Sequence, residues 1–514
     1  QVRDRSIGSM DDDIELDAQF ALPLASAKIN NEDTRLREGG SDDVPLEEPE
    51  ASELSTPDLV ALQYPVLQGE SGGLQTRTQA TLNLLNNLLG AGLLAMPRAF
   101  ASGGLAFGLI LMTGIAIANK RTLMLLLWIS QCTLESASYP MIGKHVYGHQ
   151  GILVVLLAYL LYTGGVLTVY LIALTDILAQ LPPLDGVWHS VRVVLAVLLC
   201  TPGAAMKSLR QVATLSAVCM AGVFTLVGVL ISVCLFEPVP GHNSLVEEVR
   251  MGPQSPLGAL QAAALFALQF SVQAGGLEVL SKIHTELHQR SGNQDDIDTT
   301  AHGIVSDGGE TEALLVAAEE VSFLAFVVAG VLSGTLGVIG YVRFGDAVQG
   351  DLLLNFNTSL WSVHLAVARI AYGFVVTCSF AFIIVPCRLA VLELLRMRRH
   401  LVEADLHPND VHKTVTGIIL CSCALVAWLV PNLADMLEFV GVWATMALAF
   451  ILPCAFHMEL CRRQEGRRYI SAANLTSLCL LLFGVLIIVV RTACVAFTTF
   501  MTETKLPAES LTDV

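Results

Sequence analysis

The sequence predicts an all-α integral membrane protein of eleven transmembrane helices. Ten of them form a five-plus-five inverted repeat in which helices 1 and 6 are interrupted, and helix 11 is an addition. Three observations predict this. Of 514 residues, 54% are hydrophobic and only 15% charged, with a mean hydropathy of +0.62, far from the composition of a soluble domain. Apolar stretches near the length of a bilayer span, about 20 residues, recur along the chain after about residue 78. Two of them, five helices apart, carry small-residue breaks near their centres.

The charge lies outside these stretches. Residues 1–76 hold 17 acidic against 5 basic side chains, and residues 284–312 hold seven against one, so the formal net charge of −17 is concentrated there. Residues 1–76 combine runs such as Asp11-Asp12-Asp13 and Glu47-Glu48 with scattered Pro and Gly and no apolar period, the pattern of a disordered acidic tail. No apolar region follows a basic start as in a signal peptide. The twelve cysteines fall mainly in apolar stretches, for example Cys421 and Cys423, where a small buried side chain is the expected role.

Helices are predicted near 78–98, 104–130, 151–180, 188–206, 211–235, 258–283, 315–341, 361–390, 414–430, 435–458 and 470–498, giving a transporter domain at 78–500 and a short tail at 501–514. With the N-terminus in the cytosol, Arg396, Arg398, Arg399, Lys413, Arg462, Arg463, Arg467 and Arg468 fall in cytosolic connections. The opposite connections carry at most one basic residue each, Arg250 and Arg343, as the positive-inside rule requires. The acidic connection 284–312 is then cytosolic, Asn357-Thr358-Ser359 is an outer glycosylation sequon, and Asn474-Leu475-Thr476 faces inward and stays bare. Glu310 to Leu315 resembles an acidic dileucine sorting signal but merges into the start of helix 7.

Helix 1 reads Asn83, Asn86 and Asn87 before Gly90-Ala91-Gly92, and helix 6 reads Phe266 to Gln273 before Ala274-Gly275-Gly276. Backbone groups freed in hydrocarbon cost several kcal/mol unless they line a cavity or meet a ligand. An unwound centre therefore points to an ion or carboxylate site, and close packing through small residues is the structural alternative. Paired interruptions place the site between the two repeats. In helix 8, Thr377 and Ser379 offer hydroxyl oxygens suited to sodium, or bond back to their own helix. Glu278 is functional if it lies within the membrane and ordinary if solvated. Lys120 and Arg121 reach an interface along their apolar stems, and His189, His364 and His457 have no acid beside them to form a proton relay.

The residues resemble the amino acid/auxin permease family, which includes the sodium-coupled neutral amino acid transporters and the vacuolar amino acid transporters. The resemblance covers about residues 78–500. It rests on Gly337 to Gly345 with Leu353 to Asn355, on Val430 to Leu433 leading through Gly441 to Pro453, on Asn86 to Gly92 with Ala91 in place of a serine, and on Tyr139 and Gly148. It implies a leucine-transporter-type fold with helices 1, 6 and 8 around an amino acid. Carried over by position, Gly90, Ala91 and Gly92 receive the substrate carboxylate. Phe270, Ser271, Gln273 and Gly275 line the site in helix 6, and Asn86 with Thr377 or Ser379 coordinates sodium. The family's helix-6 Phe-x-Phe-x-x-His pattern is reduced here to Phe270-Ser271-Val272-Gln273. In helix 8 the element before Pro386 and Arg388 is Phe380-Ala381.

The expected function is secondary active transport of neutral amino acids by alternating access, coupled to sodium or protons, without an organic cofactor. The expected partners are the amino acid, the coupling ion, membrane lipid and a cytosolic partner of the acidic tail, and not nucleic acid. The second reading is an amino acid sensor signalling through that tail. An enzyme is disfavoured because no His, Asp or Cys cluster shares a common depth. The same topology fits a plasma, lysosomal or vacuolar membrane.

Overall fold

A computed structural model describes residues 75–133, 138–181, 184, 186–206, 216–236, 249–283, 307–356, 363–397, 408–465 and 474–505. The acidic tail, the sequon at Asn357 and most of the 284–312 connection lie outside them. All described residues belong to the unit Asp58–Val514.

The described residues are helical, and nine of their helices are long and apolar enough to cross a membrane. In chain order they are α1 (Arg77–Leu88), a 3-10 turn (Ala91–Ala95), α2 (Met96–Gly103), α3 (Leu105–Cys132), α4 (Tyr139–Ala179), α5 (His189–Ala204) and α6 (Ser216–Phe236). There follow α7 (Pro256–Gln269), α8 (Gln273–Ser281), α9 (Asp307–Phe344), 3-10 turns at Gly345–Ala347 and Leu352–Asn355, and α10 (Val363–Met397). The chain ends with α11 (Pro408–Leu429), α12 (Leu433–Phe439), a π-helix (Val440–Ile451), α13 (Leu452–Glu465) and α14 (Leu475–Lys505). Ile110, Ile117, Leu198, Leu482 and Leu486 point outward and exposed. Such surface is costly in water and neutral in lipid tails, which are as apolar as leucine.

The largest departures from expectation lie in the third and sixth spans. The third expected span, 151–180, begins at Tyr139 and bends at Tyr147 and Gly148, the latter at φ 63° and ψ −144°. Tyr139 pins this early segment by donating to the Leu448 carbonyl at 2.7 Å. The break in the sixth span falls at Phe270–Val272 rather than at Ala274-Gly275-Gly276, which lie inside α8. Gly276 serves packing: a Cβ there would stand 3.1 Å from Leu84 and 3.2 Å from Leu123.

The family-like stretch Gly337 to Gly345 has a packing role as well. A Cβ on Gly337 would lie 2.6 Å from the Phe100 ring, and one on Gly340 would lie 2.5 Å from Pro97, so these glycines let α2 seat directly on α9. Gly345, at φ 56°, turns the chain out of α9. Replacing Gly337 by valine is expected to cost about 1–3 kcal/mol of stability by overpacking, read as a lower melting temperature of the purified protein. An unchanged melting temperature would contradict the contact.

Candidate functional site

The two interruptions define the site. α1 ends at Leu88, Gly90 adopts an extended conformation (φ −92°, ψ −152°), and the chain re-enters through the turn Ala91–Ala95 into α2, whose first turn carries Pro97. α7 ends at Gln269, residues 270–272 unwind, and α8 begins at Gln273. Gln269 ties the two breaks together: its amide donates to the Leu88 carbonyl at 2.9 Å and to Ser333 Oγ of α9 at 2.9 Å. Its Oε1 is buried without a hydrogen-bond partner. That oxygen faces Gly92, where a Cβ would come within 2.6 Å of it.

α4 supplies three tyrosines to this region. Tyr162 donates to the Ser271 carbonyl at 3.0 Å and Tyr159 to the Ala274 carbonyl at 2.5 Å, so the unwound segment of the second break and the first turn of α8 are each held through their backbone. Tyr170 brings its hydroxyl to 2.8 Å from where a Gly90 Cβ would stand. Only glycine at 90 and 92 leaves these polar groups so near the unwound main chain.

The structure sorts the three amides of the first span. Asn83 donates to Gln75 Oε1 at 3.0 Å, and Asn87 donates to the Asn83 carbonyl at 3.1 Å. Asn86 is buried with its Oδ1 unpartnered. A buried acceptor with no donor is rare and costs about 1–3 kcal/mol, which sets Asn86 apart from the partly buried Asn83 and Asn87. Of the helix-8 hydroxyls, Thr377 donates to the Gly373 carbonyl at 2.7 Å, whereas Ser379 is buried beside Cys219 of α6, 3.9 Å away.

The remaining helix-6 residues are placed as follows. Phe270 is buried and stacks on Phe326 of α9, with centroids 6.2 Å apart. Gln273 is fully buried and donates to Thr122 Oγ1 at 3.0 Å and Asn119 Oδ1 at 3.2 Å in α3, while Ser271 Oγ donates to Gln273 Oε1 at 3.1 Å. Their side chains thus fasten the break to its surroundings. Gly275 faces the Asn87 amide, which a Cβ would meet at 3.6 Å. Glu278 is half-buried in α8, and Ser281 donates to its carbonyl at 3.1 Å. Lys120 pairs with the partly exposed Glu319 of α9 and lies over the Phe323 ring.

Both ends of the bundle carry ties. At one end Gln75 donates its N–H to the Lys282 carbonyl at 2.8 Å, and Arg77 pairs with Glu320 at 2.5 Å, linking α1 to α8 and α9. At the other, Arg250 pairs with Asp346 and Arg491 with Glu438. Arg250, Asp346 and Arg491, with Arg98 and Gln261, line a polar cavity of about 370 Å³. Gln269, Tyr159, Tyr162, Tyr170 and Ser333 were not predicted as site residues. Their only signal in the sequence is a polar group inside an apolar span.

The transmembrane amino acid transporter protein family matches residues 74–293 and 314–497. Over 388 residues the chain is 25% identical to vacuolar amino acid transporter 5 of Schizosaccharomyces pombe, spanning 73% of this chain and 82% of that one. Over 417 residues it is 24% identical to sodium-coupled neutral amino acid symporter 2 of Danio rerio, spanning 75% and 76% respectively. Its fold is similar to that of Mhp1, a nucleobase-cation-symport-1 family transporter solved in a closed conformation with bromovinylhydantoin bound. There the TM-score is 0.50 at 13% sequence identity, over 84% of this chain and 96% of that one. With two discontinuous helices meeting in a bundle of apolar spans, and a family match over most of its length, the chain belongs to the transmembrane amino acid transporter protein family.

Proposed function

We propose that the protein is a secondary active transporter of neutral amino acids that works by alternating access, with sodium or a proton as the coupling ion and sodium favoured. The observation that carries this reading is the joined pair of breaks, with Asn86 Oδ1 buried and uncommitted beside them. Broken spans expose half-helix ends, whose N-terminal N–H groups attract an anion and whose C-terminal carbonyls attract a cation. The substrate carboxylate lies against Gly90, Ala91 and Gly92. Asn86 and Ser379, with Thr377 contributing a second lone pair, surround the sodium ion.

In this reading the α1–α2 pair is the first of eleven spans, α7–α8 is the sixth, and α14 is the eleventh, added to a five-plus-five repeat. The N-terminus and the Arg462–Arg463 end are cytosolic. The cavity lined by Arg98, Arg250 and Arg491 is the outer approach.

Uptake of labelled neutral amino acids into proteoliposomes, under an imposed sodium gradient or an imposed pH gradient, tests the reading. Accumulation under one gradient names the ion. Binding across a broad panel without accumulation under either gradient overturns transport and leaves a sensor.

A further inference from the structure

Beside the first break, the connection between α9 and α10 holds a second polar cluster whose groups are incompletely satisfied. Asp351 is fully buried. Its Oδ1 accepts from the Leu353 N–H at 2.8 Å, capping the turn Leu352–Asn355, and its Oδ2 has no hydrogen-bond partner. Facing it from α10 are Arg369 and Tyr372, each 1% exposed, with Arg369 Nη1 and the Tyr372 hydroxyl also unpartnered. Arg369 is held by Gln180, whose Oε1 accepts from Nε at 2.7 Å, and by the Phe356 carbonyl at 3.4 Å.

The other elements bring few further charges. α4 contributes Asp176, which repels Asp351, and Tyr170, which neighbours Tyr372; α5 contributes Arg192, which attracts Asp176. α2 sends Arg98 to the Val348 carbonyl at 3.4 Å, and α12 packs Ala434 on Gly350 while its Asp435 stays exposed. The connection's own Asp346 is paired with Arg250. The turn Leu352–Asn355 that Asp351 caps packs directly on the turn Ala91–Ala95 of the first break.

A buried carboxyl with one orphaned oxygen, opposed by a second carboxylate and only partly matched by a guanidinium, lacks a hydrogen. We propose that Asp351 is a proton-binding site, and that the proton taken from the outer water holds the Leu352–Asn355 turn closed on the first break. The orientation rests on the transport reading above; the site does not.

Burial pushes the Asp351 carboxyl up to about 7, with the Leu353 N–H and Arg369 pulling it partly back. A carboxyl of this kind binds a proton more tightly when buried than when opened to water. By linkage, protonation therefore stabilises the closed arrangement and ionisation favours the open one. Release of the turn is expected as outer pH rises through about 7.

The test is substrate counterflow in proteoliposomes with the same pH on both faces and saturating sodium, so that neither gradient nor insertion direction matters. The wild-type rate should rise by up to about tenfold between about pH 6 and 8, as the ionised fraction does. Asp351→Asn should stay at the acid level throughout, and Asp351→Glu should keep a step with a moved midpoint. A flat wild-type profile, or the wild-type step surviving in either variant, overturns the proposal.

Melting temperature gives a readout independent of transport. Because the folded pKa lies above the unfolded one, wild type loses stability as pH rises toward and through about 7. Asp351→Asn should melt higher than wild type at about pH 8 by a margin that shrinks toward about pH 5. A margin constant with pH overturns the site. If counterflow is absent in wild type while the pH-dependent margin is present, the transport reading fails and the proton site stands.

Discussion

Replacing Gly92 by valine is expected to reduce amino acid uptake by about fivefold or more while leaving the protein folded. Even the first added carbon would stand 2.6 Å from Gln269 Oε1 and 3.6 Å from the Gln269 Cα. The amide cannot swing aside freely, because its nitrogen bonds the Leu88 carbonyl and Ser333 at 2.9 Å each. Either the two breaks separate or both hydrogen bonds are lost. Overpacking costs about 1–3 kcal/mol, and at about 1.4 kcal/mol per decade this is about five- to a hundredfold if it falls on the liganded state. The control is Gly164→Ala, where an added Cβ meets nothing within 4 Å and uptake should not change. Wild-type uptake by Gly92→Val would show that close approach of the two unwound segments is not part of the binding geometry.

The membrane architecture was legible because bilayer spans are written in composition and length. No soluble fold needs an apolar stretch such as Leu475–Phe497, most of whose side chains face outward. The first break was legible because Gly90 and Gly92 sit inside such a span, and a span has little other use for an unwound Gly-x-Gly. The second was misplaced by four residues because glycine marks two different things. At Gly276 it permits helices to touch, whereas Phe270, Ser271 and Val272 unwind for a tertiary reason. Tyr162 meets the Ser271 carbonyl in the break from a helix more than a hundred residues away in sequence.

The ties were hidden for the same reason. Gln269 resembles any other polar residue in an apolar run until α1 is laid beside it. Asp351 resembles a loop aspartate until Arg369 and Tyr372 close over it. Helical periodicity reports which face is apolar and carries no information on partners 64 to 181 residues distant, which is how far Gln269 reaches to Ser333 and Leu88.

Asn86→Ala is expected to weaken ion and substrate binding together, by about tenfold or more, without lowering the melting temperature. The two halves of this expectation come from one atom. Asn86 Oδ1 is buried without a donor, so in the unliganded protein it contributes a desolvation cost of about 1–3 kcal/mol and no hydrogen bond. Truncation removes that cost along with a small volume of packing, and stability should hold or rise. In the proposed liganded state the same oxygen would meet a cation, where a charge-assisted contact is worth about 1.5–3 kcal/mol. Because coupling between two ligands is reciprocal at equilibrium, an ion bound less tightly at the end of α1 must also hold the amino acid less tightly at the adjoining Gly90–Gly92 segment. Isothermal titration with sodium and a neutral amino acid, each in the presence and absence of the other, separates the outcomes. A purely structural asparagine would lower the melting temperature and leave both affinities and their coupling as in wild type.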